Sequence, residues 1–289
     1  MTTWPAVEVA PARSPAADFL RRHPTVVAGL AILGLMTFLA LAAAWLGTVN
    51  PLSLDPVQRL EPPSEVNWFG TDSFGRDIYS RTVYGSRISL IVGVSVAVLS
   101  TVIGLAIGLA AGYSRIVDAL VMRVMDGMMA VPSILLAIAL IALTEASVTN
   151  VILAITIPEV PRVVRLVRSV VLSIREQPYI EAAIAIGTSL PRIFSRHLIP
   201  NTLAPLIVQA TYIFASAVLI EAGLSFVGAG TPPEVPSWGN IMAEGRVFFL
   251  ISPYMILFPG LALALTVLAV NLLGDGLRDL LDPRIARRM

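Results

Sequence analysis

The chain has 289 residues, 56% hydrophobic and only 13% charged, with 20 basic residues against 19 acids and a net charge of +1. Soluble domains average about a quarter charged residues, so this composition excludes an ordinary soluble domain, and the near-zero charge does not point to nucleic acid. There is no cysteine, hence no disulfide or thiolate metal site, and no lysine, so the chain cannot form a G-x-x-x-x-G-K-S/T phosphate loop.

Several uncharged runs reach the ~20 residues that cross a bilayer, which predicts an all-α, polytopic membrane protein. Residues 1–24 are polar, with Arg13, Arg21 and Arg22, and are expected to be a cytoplasmic segment. The apolar run from Val26 to Leu46 is too long for a signal-peptide core. It predicts a retained first transmembrane helix with its arginines inside. Residues 25–87 take in that helix and an outer loop. The loop carries Pro51, Pro56, Pro62 and Pro63, then Gly70-Thr71-Asp72-Ser73-Phe74-Gly75-Arg76-Asp77, Ser80-Arg81 and Gly85-Ser86-Arg87. Its acids and arginines nearly balance, as in a solvated, turn-rich connector.

Residues 88–274 are expected to form the membrane core. The uncharged stretch 88–112 places Gly104, Gly108 and Gly112 at four-residue spacing, which lets two helices approach closely in lipid. Arg115 and Asp118, and Arg123 and Asp126, have the i,i+3 spacing of helical ion pairs. They precede a third apolar run, 127–144, and Met122, Met125, Met128 and Met129 are read there as packing residues. The fourth run, Val148 to Ile157, is short. Pro158, Glu159 and Pro161 then predict a kinked helix, whose end carries Arg162, Arg165 and Arg168 as a basic stripe into the cytoplasm.

A polar interruption follows at about 170–202. Pro178 suits the first turn of a helix, Glu181 favours the same turn through the helix dipole, and Gly187 suits a left-handed cap. Thr188 or Ser189 caps a second short helix that holds Pro191 in its first turn and is closed by Pro200. The expectation is two short helices joined by a glycine elbow. A fifth run, Leu203 to Val227, contains Glu221. A carboxylate at membrane depth marks a gate or passage; the other reading is a paired structural acid near the outer face. Residues 228–250 are expected outside, with Trp238 at the lipid headgroups. The last helix runs from about Pro253 to Gly274, and 275–289 form an arginine-rich cytoplasmic tail. Six helices put both termini on one side. The positive-inside rule makes that side, and the 170–202 segment, cytoplasmic.

Glu181-Ala182-Ala183, followed by Gly187 and then His197-Leu198-Ile199-Pro200, resembles the EAA loop of ABC importer permeases. Gly70-Thr71-Asp72, Gly75-Arg76-Asp77 and Ser80-Arg81 resemble the outer loop of the dipeptide/oligopeptide/nickel-type permeases. So do Glu221-Ala222-Gly223-Leu224-Ser225-Phe226-Val227-Gly228, Pro236-Ser237-Trp238-Gly239 and Asp275-Gly276-Leu277-Arg278-Asp279. The arrangement is that of the second, C-type subunit of a heterodimeric permease pair. Ile199 stands where the family usually has leucine, and Glu159 with its prolines where relatives often have glycine and tryptophan.

The resemblance implies a type I ABC importer permease fold with a cytoplasmic coupling helix. The coupling residues would be Tyr179, Glu181, Ala182, Ala183, Gly187, His197 and Pro200. It implies a transport subunit rather than an enzyme, in the bacterial inner membrane, with no metal or cofactor of its own. ATP and Mg would be bound by two separate ATPase subunits. The other partners would be a homologous second permease, an external solute-binding protein and membrane lipid. The implied solute is a dipeptide or oligopeptide, with nickel chelates and other small solutes open. An ion- or proton-coupled secondary transporter would account for the membrane acids, but not for a glycine-hinged, alanine-rich cytoplasmic handle.

Overall fold

The computed structural model describes residues 23–281. The readings made for Arg13, Arg21 and Arg22, and for the tail beyond Leu281, lie outside the described residues. Among the described residues the regular elements are helices, and an isolated antiparallel bridge joins Thr71 to Asp77 in the outer loop.

Helix α1, Pro24–Ala42, ends in a 3-10 turn, Ala43–Trp45. Helix α2, Ile78–Tyr113, starts well before the uncharged run, because Asp77 caps it by accepting from the Ser80 backbone N–H at 2.8 Å. Ser80, Arg81, Gly85, Ser86 and Arg87 therefore belong to the helix and not to the loop. Their charge does not end it because each arginine finds partners: Arg81 two carboxylates, Arg87 the carbonyls of Ala40 and Leu41.

The expected third helix is two, α3, Arg115–Met129, and α4, Ser133–Ala142, meeting at 89°. Pro132 lies in the break, and a proline pushes the preceding residue out of helical geometry. Helix α5, Val148–Arg175, runs unbroken through Pro158 and Pro161. Residues 158–161 are all buried, and that packing outweighs the local cost of a helix proline, about 3 kcal/mol. After the short α6, Pro178–Ala185, comes α7, Leu190–Val227, with a π turn over Phe194–Leu198. Helices α8, Trp238–Gly245, and α9, Tyr254–Leu281, complete the chain.

Helices α1, α2, α7 and α9 are long and apolar enough to cross a membrane, and the pair α3–α4, bent by 89°, adds a fifth if its two halves form one span. Helix α5 is long enough but not apolar enough to count with them. Its 28 residues reach ~42 Å at 1.5 Å per residue, but Glu159, Arg162, Arg165 and Arg168 lower its hydropathy.

Helices α2 and α5 run parallel, and the glycine stripe fits the valines of α5. A Cβ on Gly108 would lie 2.7 Å from the Val167 Cβ, one on Gly112 2.7 Å from the Val171 Cβ, and Gly104 abuts Val163 in the same way. One turn further, the register brings Ser100 level with Glu159, both fully buried. The expected pairs within α3 do not form. Asp118 bonds Arg168 of α5, with Nη2 to Oδ2 at 2.7 Å, and Asp126 bonds Arg165 at 2.5 Å. Arg162 lies 3.4 Å from Glu159. The arginine stripe is thus a set of ion pairs, two of them fastening α3 to α5. Met125 packs with Val160 and Val164, with Met122 and Met128 against them.

Trp238 does not sit among headgroups. It is fully buried, and its indole N–H donates to the Thr82 carbonyl of α2 at 3.0 Å. Seating that ring in the bundle draws α8 onto α2 and α7.

Candidate functional site

Helix α6 forms as its sequence dictates at both ends. Gln177 is extended before Pro178, which occupies the first turn with Glu181. At the other end Gly187 has φ +77°. The Thr188 N–H donates to the Ala183 carbonyl at 3.0 Å and the Gly187 N–H to the Ile184 carbonyl at 2.9 Å. These two bonds make a Schellman cap, which satisfies the last carbonyls of the helix.

The second half of the elbow departs from expectation. Ser189 precedes α7 without a side-chain cap. Pro200 does not close a short helix, because the π turn over Phe194–Leu198 carries the chain through it into the long α7. The π turn is closed by the Ile199 N–H, which donates to the Phe194 carbonyl, and Pro200 follows it in the first turn of the resumed helix, where no N–H is needed. The Asn201 amide donates to the His197 carbonyl there at 2.6 Å.

Helix α6 keeps one anchor and exposes the rest. Ile180 is buried, while Tyr179, Glu181, Ala182, Ile184 and Ile186 are exposed and Ala183 is half-buried. The Tyr179 and His197 rings lie 5.8 Å apart. The root is held by Arg175, missed in the sequence, at the end of α5. Its guanidinium donates to the carbonyls of Gly112, at 3.2 Å, and Tyr113, at 2.6 Å, which end α2. Tyr113 in turn meets Phe194 of α7, ring centroids 5.3 Å apart. The signal was an arginine in a last helical turn, a common carbonyl partner, but its target on α2 could not be read locally.

The outer-loop residues form a second site, at the opposite end of α2, whose 36 residues span ~54 Å. Residues 48–66 are exposed or half-buried, as in a solvated connector, but 70–76 are buried except for Phe74. Asp72 is fully buried and accepts from the backbone N–H groups of Phe74, at 2.8 Å, and Arg76, at 3.0 Å. Its other oxygen accepts from Arg76 Nε at 2.6 Å and from Arg81. Both arginines also reach Glu244 of α8, Arg81 through Nη1 at 2.6 Å and Nη2 at 3.0 Å. Two carboxylates thus neutralise two arginines in a closed knot. Thr71 accepts from the Glu61 N–H at 2.9 Å, and Ser80 from the Val49 N–H at 2.9 Å. Gly70 and Gly75 both have φ +76°, and a Cβ on Gly70 would lie 2.7 Å from the Tyr254 ring. Sequence reasoning missed Glu244, which carries no spacing relation to the other members.

Glu221 is fully buried in α7, accepting from Ser225 Oγ at 2.9 Å with Ser89 and Ser237 beside it. Its second oxygen is buried without a hydrogen-bond partner among the described residues, and Ser225 lines a cavity together with Glu244 of the outer knot.

Residues 79–287 match the family described as binding-protein-dependent transport system inner membrane component, and residues 14–63 match the N-terminal transmembrane domain of oligopeptide transport permease C. The chain belongs to this family of transport-system membrane components. A probable peptide ABC transporter permease of Sinorhizobium fredii is 57% identical over 268 residues, covering 93% of this chain and 92% of that protein. The dipeptide transport system permease protein DppC of Alkalihalophilus pseudofirmus is 44% identical, covering 92% and 88%. Among solved structures, the inward-facing MetNI methionine ABC transporter aligns with a TM-score of 0.59 at 23% identity, over 71% of this chain and 98% of that one. This family member therefore has the helical fold of an ABC importer permease.

Proposed function

We propose that this chain is one of two related permease subunits of an ATP-driven importer of dipeptides, oligopeptides or a similar small solute, and that α6 is the handle gripped by an ATP-binding subunit. The observation that carries this reading is the exposure of α6. Tyr179, Ile184 and Ile186 are 46%, 50% and 84% exposed at the rim of a helix anchored by Ile180. Exposed apolar side chains grouped on a polar segment mark a contact with protein. Ala182 and Ala185 keep the helix surface low, so its backbone can seat in a groove. Glu181 accepts charge-assisted bonds from a partner's arginine or backbone N–H groups.

ATP and Mg belong to the ATP-binding subunits, since the lysine of a phosphate loop is absent here. When those subunits close, α6 moves with them, and the Arg175–Tyr113–Phe194 contacts pass the motion to α2 and α7. The bundle then switches between two packings, of which ATP binding favours one. In this reading α6 and both termini face the cytoplasm across the inner membrane. The outer knot and α8 face the solute-binding protein. Relatives named as peptide and dipeptide permeases support the solute class.

Purification and reconstitution test it. An ATP-binding pair and a second permease should copurify, and dipeptide uptake should require ATP and the external binding protein. Uptake by this chain driven by a proton gradient alone would overturn the reading.

A further inference from the structure

Helices α7 and α9 leave an open groove between them. It consists of two adjoining cavities of about 410 and 220 Å³ that share Val208, Gln209 and Arg278. Its polar lining is Gln209, Thr211 and Tyr212 of α7 with Asn271, Asp275 and Arg278 of α9. The groove runs from the middle of α7 toward the end that carries α6. Gly274 abuts Thr211 and brings the two helices together at its floor.

This lining is at odds with a lipid contact. Tyr212 is 55% exposed, and Asn271, Asp275 and Arg278 are exposed as well. A side-chain amide facing hydrocarbon without a partner costs several kcal/mol. Ile207, two residues from Gln209 and about 200° round α7, is 44% exposed and apolar, as a lipid face should be. Among the described residues, no hydrogen bond satisfies the Gln209 or Asn271 amide, and no ion pair joins Asp275 to Arg278. Four groups with unused capacity therefore meet in one groove at and below membrane depth.

We infer that this groove is a water-filled wall of the passage and a subsite for a zwitterionic solute, with Arg278 taking a carboxylate and Asp275 an ammonium group. This rests on the permease reading above and names its solute chemistry. Residues at i,i+3 on a helix have Cβ atoms ~5–6 Å apart, and the two ends of an extended dipeptide lie ~7 Å apart. The Gln209 and Asn271 amides line the same cavity and offer donors and acceptors for the peptide group between those ends. A surface site of this kind binds weakly enough to release its solute, which passage demands.

This chain has no cysteine of its own, so labelling read on this chain reports the introduced position alone. The complete transporter is prepared in lipid nanodiscs with Gln209→Cys, Tyr212→Cys, Asn271→Cys or, as the lipid-facing reference, Ile207→Cys. Each is treated with a membrane-impermeant methanethiosulfonate reagent. Gln209→Cys and Asn271→Cys should label at least tenfold faster than Ile207→Cys. Millimolar alanyl-alanine should slow that labelling severalfold, and its N-acetylated, C-amidated form should not. Asp275→Asn and Arg278→Gln should each abolish the protection. Labelling at all three groove positions no faster than at Ile207→Cys overturns the inference, as does efficient disulfide crosslinking of Gln209→Cys to the second permease, which would make the groove a subunit seam. Equal protection by the blocked dipeptide overturns the zwitterion assignment. ATP-dependent uptake by the complex with the unsubstituted chain is scored separately. If uptake proceeds while the cysteines stay unlabelled, the groove fails alone; if no dipeptide is taken up, the solute assignment falls together with the permease reading.

Discussion

Gly108 of α2 lies so close to Val167 of α5 that a single added methyl group would meet the valine Cβ at 2.7 Å and the Val164 carbonyl oxygen at 2.9 Å. The same fit repeats one turn above and one turn below. In lipid, where apolar surface gains little from burial against other apolar surface, such close backbone approach is a main source of helix association.

Gly108→Ala should therefore destabilise the bundle by about 1–3 kcal/mol, the usual cost of overpacking. Thermal unfolding in detergent reads this as a lowered midpoint. Combining it with Val167→Ala should recover part of the loss. Gly127→Ala, where nothing lies within 4 Å of the added Cβ, should show no loss. Equal midpoints for Gly108→Ala and wild type would contradict the close fit.

The outer knot makes a second prediction. Arg81 is 1% exposed and shares its charge between Asp72 and Glu244. Removing one partner of a buried ion pair costs about 3–5 kcal/mol, because the other charge stays buried. Glu244→Ala should loosen the loop over residues 46–77, seen as faster limited proteolysis there, with copurification of the ATP-binding subunits unchanged. A loop as protease-resistant as the wild type would show that Asp72 alone satisfies both arginines.

At Gly187 the requirement is conformational, since an added Cβ would meet nothing within 4 Å while φ is +77°. A β-branched residue is strained in that region, by about 1–2 kcal/mol, whereas asparagine tolerates it. Gly187→Val should uncouple ATP hydrolysis from uptake, with ATPase activity retained and transport reduced. Gly187→Asn should behave nearly as wild type. Similar coupling ratios for both variants would remove the left-handed cap from the mechanism.

Trp238 separates packing from hydrogen bonding. Trp238→Ala should cost about 3–5 kcal/mol through the cavity it leaves. Trp238→Phe keeps most of the ring and forfeits the bond to the Thr82 carbonyl, a loss of about 1 kcal/mol. Thermal midpoints should fall in that order, and equal midpoints for the two variants would show that the bond dominates.

What the sequence by itself determined rests on local and periodic physics. Apolar runs marked the spans at α1, α2, α7 and α9 because a bilayer demands length and hydropathy of each helix separately. Gly104, Gly108 and Gly112 marked the packed face of α2, and Pro178, Glu181 and Gly187 marked both ends of α6, because helix caps are written within a few residues. What the tertiary structure alone decided concerns partners distant in the chain. Glu244 closes the knot from 168 residues beyond Arg76, so residues 70–76 of a loop that reads as solvated are largely buried. Asp118 and Asp126 choose Arg168 and Arg165 over nearer arginines, and Trp238 is drawn inward by Thr82. In each case a long-range contact supplies more free energy than the local preference it overrides, and residue spacing along the chain does not encode that contact.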